Sequence, residues 1–515
     1  MAAAVRRSRL VGLLLAGASR PNPRPFSSSS SSASPPATAR GDDDQLSRRL
    51  LRIPRTRGAA AAAAERWAQE RGRVSPAELR CAVARLRRAR RYEQALEISS
   101  WMGSRGNFKL SPSDHTARLE LIVKVHGTSE AEEYYKKLST AASKKAASLP
   151  LLHCYVTERN VQKAETFMAE LQRCGLPVDP HSFNEMMKLY IATCQYEKVL
   201  SVIDLMKRNN VPRNVLSYNI WMNACAEASG LASVQSAFKE MLNDDMVEVG
   251  WSTYCTLANI FRKYEQNSKA LACLRTAETK LSSTGRLGYS FIMTCYAALN
   301  DRDGVMRLWE ASKSVPWRIP AENYMTAMLC LIKVGDIGQA EWIFGSWEAE
   351  CRKHDVRVSN VLLGAYVRNG WIEKAERLHL HMLEKGADPN YKTWEILMEG
   401  FVQRKQMDKA VNAMKKGLSL LKSCHWRPPY ELLEAIAEYF AEQGSVEDAD
   451  SYIKVLQKFK LTSLPLYKSL LRAYINADIA PRNIPQMIAR DQIALDDEIG
   501  KLVIRASKMG ITGNG

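Results

Sequence analysis

The feature that most constrains this chain is a period. Small residues stand at Ala95, Ala131, Ala164, Val199, Val234, Ala270, Val305, Ala340, Ala375, Ala410 and Ala449, and six of the ten intervals between them are 35 residues. An aromatic stands sixteen residues earlier at Phe183, Tyr218, Tyr254, Tyr289, Tyr324 and Trp394. Two ladders in one phase define a repeating unit, and the stretch from Val356 to Asn390 displays it. Val361, Leu362, Ala365 and Tyr366 are spaced for one helix face, Gly370 interrupts, and Ile372, Ala375, Leu378, Leu380 and Met382 resume the pattern. Gly386 and Pro389 then close a second helix. A lone helical hairpin cannot bury its apolar faces, so hairpins of this kind must stack.

With the small residue as position 20, the units are 76–111, 112–144, 145–179, 180–214, 215–250, 251–285, 286–320, 321–355, 356–390, 391–429 and 430–463. Residues 464–477 predict a further first helix, and 481–515 a helical terminal cap followed by a glycine-rich tail. The expected fold is all-α, an α-solenoid of about eleven repeats.

The net charge of +18 is unevenly placed: the first 75 residues hold fourteen arginines, no lysine and five acids, a net +9. The array itself is therefore only mildly basic. Residues 1–41 contain six arginines, no acid and the run Ser27 to Ser32, the composition of an organelle transit peptide. Arg6, Arg7 and Arg9 before Leu10 to Leu15 leave a secretory signal as competitor, but that apolar core is short. Arg24-Pro25-Phe26 before Ser27 resembles a plant mitochondrial processing site, which places the leader at 1–26 and favours the mitochondrial matrix, with the plastid as alternative. Residues 27–75 are expected to be a disordered or linker segment, with a possible helix at Ala59 to Ala64. Eleven cysteines without a C-x-x-C pair, several on apolar faces such as Cys225, Cys295 and Cys330, suggest buried free thiols. No apolar run reaches the roughly 20 residues of a spanning helix, so no membrane insertion is expected.

The residues held at fixed phase resemble those of the pentatricopeptide repeat. They are Ser217-Tyr218-Asn219 opening a unit, Gly370 at the turn, Ala375 five residues on, Met382, and Gly386-Ala387-Asp388-Pro389-Asn390 at the end. Phe183-Asn184, Met206 and Asn214 repeat the signature in 180–214, and Gly335 with Ala340 in 321–355. The resemblance covers roughly 76–480 and is to the P-type subclass, built only of 35-residue units. It implies a right-handed solenoid that binds single-stranded organellar RNA, one base per repeat.

In that family, position 5 and the last residue of a unit read the base edge, and position 2 wedges between bases. The resemblance therefore nominates Asn184 with Asn214 and Asn360 with Asn390 as pyrimidine readers; Asn219 faces Gly250 and Ser290 faces Pro320. Simple N-capping or solvation suits the four paired asparagines equally well. Position 5 is Arg80, Thr116, Leu149, Cys255, Met325, Glu395 and Glu434 elsewhere, which makes the code degenerate. Lys263, Lys333 and Arg368 recur at position 13, where the family often keeps a lysine near the RNA backbone; a solvated face fits them as well. Trp309, Trp342, Trp371 and Trp394 fall in the packing pattern and are expected in the core.

No deaminase signature, phosphate loop or H-E-x-x-H helix occurs, and Asp496, Asp497 and Glu498 have no histidine or cysteine companion. The expectation is a non-enzyme without metal or cofactor. It would bind RNA in mitochondrial RNA metabolism, affecting stability, processing, splicing or translation by occupying a transcript. The alternative is a structural or scaffold protein, for example in the mitochondrial ribosome or with other RNA-processing proteins, where repeats hold protein or rRNA by shape.

Overall fold

The computed structural model describes residues 43–71, 74–105, 108–175, 179–420, 426–481, 484–494 and 496–507. The leader, the serine run and the glycine-rich tail lie outside them. The chain forms two compact units, 1–260 and 261–515. Each is all-α among its described residues, a row of helical hairpins packed side by side as an α-solenoid.

In the second unit the first helices stack in sequence. Leu287–Ala298 lies on Ala321–Lys333, and the row continues through Val356–Arg368, Tyr391–Gln403, Tyr430–Glu442, Leu464–Asn476 and Asp497–Ser507. In the first unit Ala141–Thr157, Pro180–Ala192 and Val215–Ala228 stack in the same way. The small-residue ladder explains the tight approach of the helices. Every member from Ala95 to Ala410 is fully buried and Ala449 is nearly so, because a larger side chain there would hold the helices of a hairpin apart. Of the aromatic ladder, Phe183, Tyr218, Tyr289 and Tyr324 are buried, whereas Tyr254 and Trp394 are half-buried.

In most hairpins the turn is made at position 15, and at position 16 in those of Gly127 and Gly230. It takes left-handed backbone as glycine at Gly335 and Gly370, and also at Arg90, Arg159, Cys194, Glu265, Asn300 and Lys405. What holds these non-glycine residues there is a Schellman closure, in which the N–H of the next residue bonds a carbonyl five residues back, as in Gln195 to Tyr190 (2.8 Å) and Gln406 to Phe401 (2.9 Å).

A polar clamp ties neighbouring hairpins together along the second helices. Lys198 at position 19 bonds Glu165 at position 21 of the preceding hairpin (2.7 Å) and lies 5.4 Å from the ring centre of Tyr190, whose hydroxyl donates to the same Glu165 (2.9 Å). Lys374, Glu341 and Tyr366 repeat this arrangement, and Lys163 with Glu132 and Tyr155 and Lys409 with Glu376 and Phe401 vary it. Half-exposed ion pairs of this sort contribute roughly 0–1 kcal/mol each, so the clamp sets register more than it adds stability. In the hairpin of Leu287–Ala298 the lysine position is Gly304, and Arg307 takes over, bonding Glu278 (2.8 Å).

The structure departs from expectation in two places. Residues 43–71, expected as a linker, form the helices Asp43–Arg52 and Ala59–Arg71, which pack on Pro76–Arg88 and Tyr92–Ser104. Leu46, Leu50, Ala60, Ala63, Ala64 and Trp67 are buried there, and Ala60 stands 35 residues before Ala95, extending the ladder by one step. Glu97 of the next hairpin accepts the N–H groups of Gly58 and Ala60, an anion at a helix N-terminus. Polyalanine presents no large apolar stripe, which is why the pattern failed to reveal this hairpin.

The other departure concerns the tryptophans. Trp309 is core, but Trp342 and Trp371 are 53% and 44% exposed, their rings covered by Lys313 and Lys374 at 5.1 and 5.3 Å. A lysine stem and its cation let a ring face water at helical spacing that otherwise reads as interior. Cys225, Cys295 and Cys330 are buried and form no disulfide among the described residues, and burial raises the Cys225 thiol to about 11.

A Cβ built on Gly304 would stand 2.5 Å from the Tyr296 ring. Gly304→Ala is therefore expected to destabilise the second unit by about 1–3 kcal/mol, read as earlier unfolding in urea. Unfolding at the wild-type midpoint would show that the ring can move aside.

Candidate nucleic-acid interface

At 3.6 residues per turn, positions 2, 5, 9, 12 and 13 of a first helix share roughly 100° of arc, so they form one face. The nominated residues lie on it, together with the last position of the unit, which precedes the next first helix.

Two asparagine pairs are brought together with matching geometry. Asn184 Nδ2 donates to Asn214 Oδ1 and Asn360 Nδ2 to Asn390 Oδ1, both at 3.2 Å. Asn214 is the N-cap of Val215–Ala228 and Asn390 that of Tyr391–Gln403, each accepting the N–H of the residue three places on, Ser217 or Thr393. Capping and pairing thus coexist in one side chain. Asn184 and Asn360 do not stand in open space: they are 1% and 9% exposed, while Asn214 and Asn390 are half-buried. The accessible member of each pair is the last residue of the unit, resting on a buried position 5.

The remaining position 5 residues are engaged differently. Asn219 meets no asparagine, since Gly250 has no side chain, and its buried Oδ1 finds no hydrogen-bond donor among the described residues. Ser290 faces Pro320, which has no donor, and its hydroxyl instead accepts from Asn323 Nδ2 (2.8 Å). Thr116 donates to the Ala146 carbonyl (2.9 Å), which Pro150 inside the helix Ala141–Thr157 leaves without its usual N–H. Arg80 bonds Asp114 (2.7 Å). Burial works against the Asp114 charge, but the bonds from Arg80 and Ser111 outweigh it and hold the carboxyl down at about 2.

Charge on this face changes along the chain. Lys263, Lys333 and Arg368 are exposed in the last turns of their first helices. On Pro180–Ala192, by contrast, Lys188 is buried against Glu185 (2.7 Å), which also bonds His153 (2.9 Å) and raises that imidazole's pKa. The helix Tyr430–Glu442 is acidic on this face: Glu431, Glu438 and Glu442 are exposed, Glu434 is half-buried, and no salt bridge neutralises any of the four among the described residues. Glu395 is taken by Trp426 Nε1 (2.8 Å) and Lys392. Phosphate would be attracted along the first stretch and repelled by the second.

The pattern overlooked Ser217, Thr393 and Asn323, the position 3 residues that touch position 5 of the preceding hairpin. Ser217 and Thr393 carry a capping-box spacing, Asn214 to Ser217 and Asn390 to Thr393, whereas Asn323 follows Pro320 and has no such signal. Among the described residues no three His, Cys, Asp or Glu side chains converge to hold a metal ion, and no helix is long and apolar enough to cross a membrane.

The PPR repeat family model matches residues 178–227 and 354–403, the segments that contain the first member of each asparagine pair and the helix its partner caps. The chain is 50% identical over 424 residues to pentatricopeptide repeat-containing protein At5g27460 of Arabidopsis thaliana, covering 82% of this chain and 86% of the relative. It is 29% identical over 440 residues to pentatricopeptide repeat-containing protein At4g21705, mitochondrial, of the same plant, covering 84% and 89%. Among solved structures it is similar to pentatricopeptide repeat protein PPR10 in complex with an 18-nt psaJ RNA element, at 17% identity and a TM-score of 0.35, covering 91% of this chain and 66% of that one, just under two thirds.

The Arg80–Asp114 link has a pH signature. A carboxyl whose pKa is depressed by folding contributes stability above its unfolded pKa of about 4 and loses it as pH falls toward 2. The melting difference between wild type and Arg80→Met should therefore be present at pH 6 and shrink below pH 4. A difference that does not change with pH would count against the link.

Proposed function

From the premise that this chain belongs to the pentatricopeptide repeat family, we propose that it binds single-stranded RNA in the mitochondrial matrix and acts in RNA metabolism by occupying a transcript. The observation that carries this reading is the repeated asparagine pair. Asn214 and Asn390 are half-exposed, and their amide nitrogens find no partner among the described residues. A fixed amide with unspent donors suits the acceptor-rich edge of an unpaired pyrimidine. Lys263, Lys333 and Arg368 offer cations on the same helix face for the phosphates. The arginine-rich, acid-free leader at 1–26 and the mitochondrial name of the At4g21705 relative support the compartment.

Two pairs at about 1–3 kcal/mol each give roughly 2–6 kcal/mol of base discrimination, by analogy with bidentate base contacts. That makes the protein selective for a short motif rather than for a unique site. A second reading, a scaffold in the mitochondrial ribosome, draws on the acidic face of Tyr430–Glu442, which suits a basic protein surface better than a phosphate chain. It would appear as sedimentation with ribosomal particles that persists at high salt.

Short pyrimidine-rich RNAs should shift the purified full chain at low salt; no shift with any of them would overturn the proposal. Asn214→Asp and Asn390→Asp preserve the cap and remove the donors, so they separate reading from capping: base preference should change while melting stays close to wild type. Lys333→Ala and Arg368→Ala should each weaken binding to all sequences alike and reduce the slope of log affinity against log salt by about 0.7.

A further inference from the structure

We propose that Ser217 and Thr393 are positioning residues for base recognition, each fixing the orientation of an asparagine pair that reads the RNA. The inference rests on the RNA-binding reading above. Neither residue can touch RNA, since both are fully buried. Each instead acts on two asparagines at once. Ser217 places its hydroxyl 2.8 Å from Asn184 Oδ1, its Oγ accepts the Asn214 backbone N–H (3.2 Å), and its own N–H donates to Asn214 Oδ1 (3.0 Å). Thr393 does the same to Asn360 and Asn390, at 3.0, 3.2 and 3.1 Å.

The consequence follows from counting donors and acceptors. Both amide oxygens of each pair are taken by protein donors, so neither amide can turn over without losing hydrogen bonds. The pair therefore presents only N–H groups, and those of Asn214 and Asn390 are the accessible ones. A base acceptor, a carbonyl or an unprotonated ring nitrogen, is favoured over a base N–H. Without the hydroxyl, Asn184 or Asn360 loses the donor that holds its oxygen inward. The amide above then keeps its cap bond from the backbone N–H but rests on a partner whose orientation is no longer fixed, and discrimination falls.

The neighbouring hairpin supplies the contrast. Asn219 also stands at position 5, but Gly250 occupies the last position, and Thr253 at position 3 turns its hydroxyl toward Met241 Sδ (3.9 Å). Asn219 Oδ1 is left buried without a donor among the described residues. A competent position 5 residue is thus present, and the device that would orient a reader over it is missing. A Cβ on Gly250 would meet nothing within 4 Å, so there is room to install the missing asparagine.

The test uses the full chain and a pool of short RNAs randomised at every position, from which bound sequences are read. Wild type should show a base preference at two positions. Ser217→Ala should flatten one and Thr393→Val the other, each reducing the ratio of best to worst base roughly 3- to 10-fold, the worth of one hydrogen bond. Ser217→Thr and Thr393→Ser should retain both preferences, because each installs the residue that serves the other pair. Gly250→Asn should create a preference at the nucleotide next to the one read at Asn214, since consecutive hairpins take consecutive bases. Ser217→Ala and Thr393→Val proteins that keep wild-type ratios, or that bind every RNA more weakly without a change in ratio, would overturn the inference. A wild-type chain that binds RNA with no preference at any position would overturn it too, leaving RNA binding itself standing. A chain that binds no RNA would remove the functional reading beneath both.

Discussion

Close approach of the two helices within each hairpin is the constraint from which the rest of this molecule follows. The side chain at position 20 is no larger than valine and is sealed from water from Ala95 to Ala410. With the helices that near, large apolar side chains are also packed between hairpins, as where Trp309 meets Tyr324 of the next, their ring centres 5.2 Å apart. The free energy of burial therefore accrues at the seams, and a hairpin without neighbours would leave much of it unrealised. This is the physical reason that the chain is built as rows.

Seams of this kind are slippery unless something fixes their register, because apolar contacts are non-directional. The lysine clamps supply direction. Each spans from one second helix to the next, with Glu165 to Lys198 and Glu341 to Lys374 separated by the same 33 residues. On the opposite helices Asn184 to Ser217 and Asn360 to Thr393 are also separated by 33. One spacing on both sides of a seam is what allows two distant places in the chain to build the same asparagine pair to within a few tenths of an ångström.

The period, the helices and the nominated pairs were legible in the sequence because each has a chemical alphabet: small against large, apolar against polar, asparagine before a helix. What escaped notice depends on a neighbour's side chain. The hairpin at 43–71 is held by Glu97, Arg91 and Gln94 of the adjacent hairpin, bonding its backbone, which no pattern within 43–71 reveals. The left-handed turn is visible at Gly335 and Gly370 and hidden at Cys194 and Lys405, where a hydrogen bond does what glycine does elsewhere. Trp342 and Trp371 look apolar in a pattern and are kept in water by a lysine from the same or an adjoining hairpin. Asn184 and Asn360 do bond Asn214 and Asn390, but their burial under the cap residue depends on the stacking of hairpins, which the sequence does not show.

Asn184 and Asn214 fall in one unit, yet Asn214 caps the first helix of the next and Ser217 lies within that helix. Whatever is recognised there is therefore a property of a junction and of neither hairpin alone. A segment that keeps all three residues together must run from before Asn184 to past Ser217, and so crosses the boundary between two units.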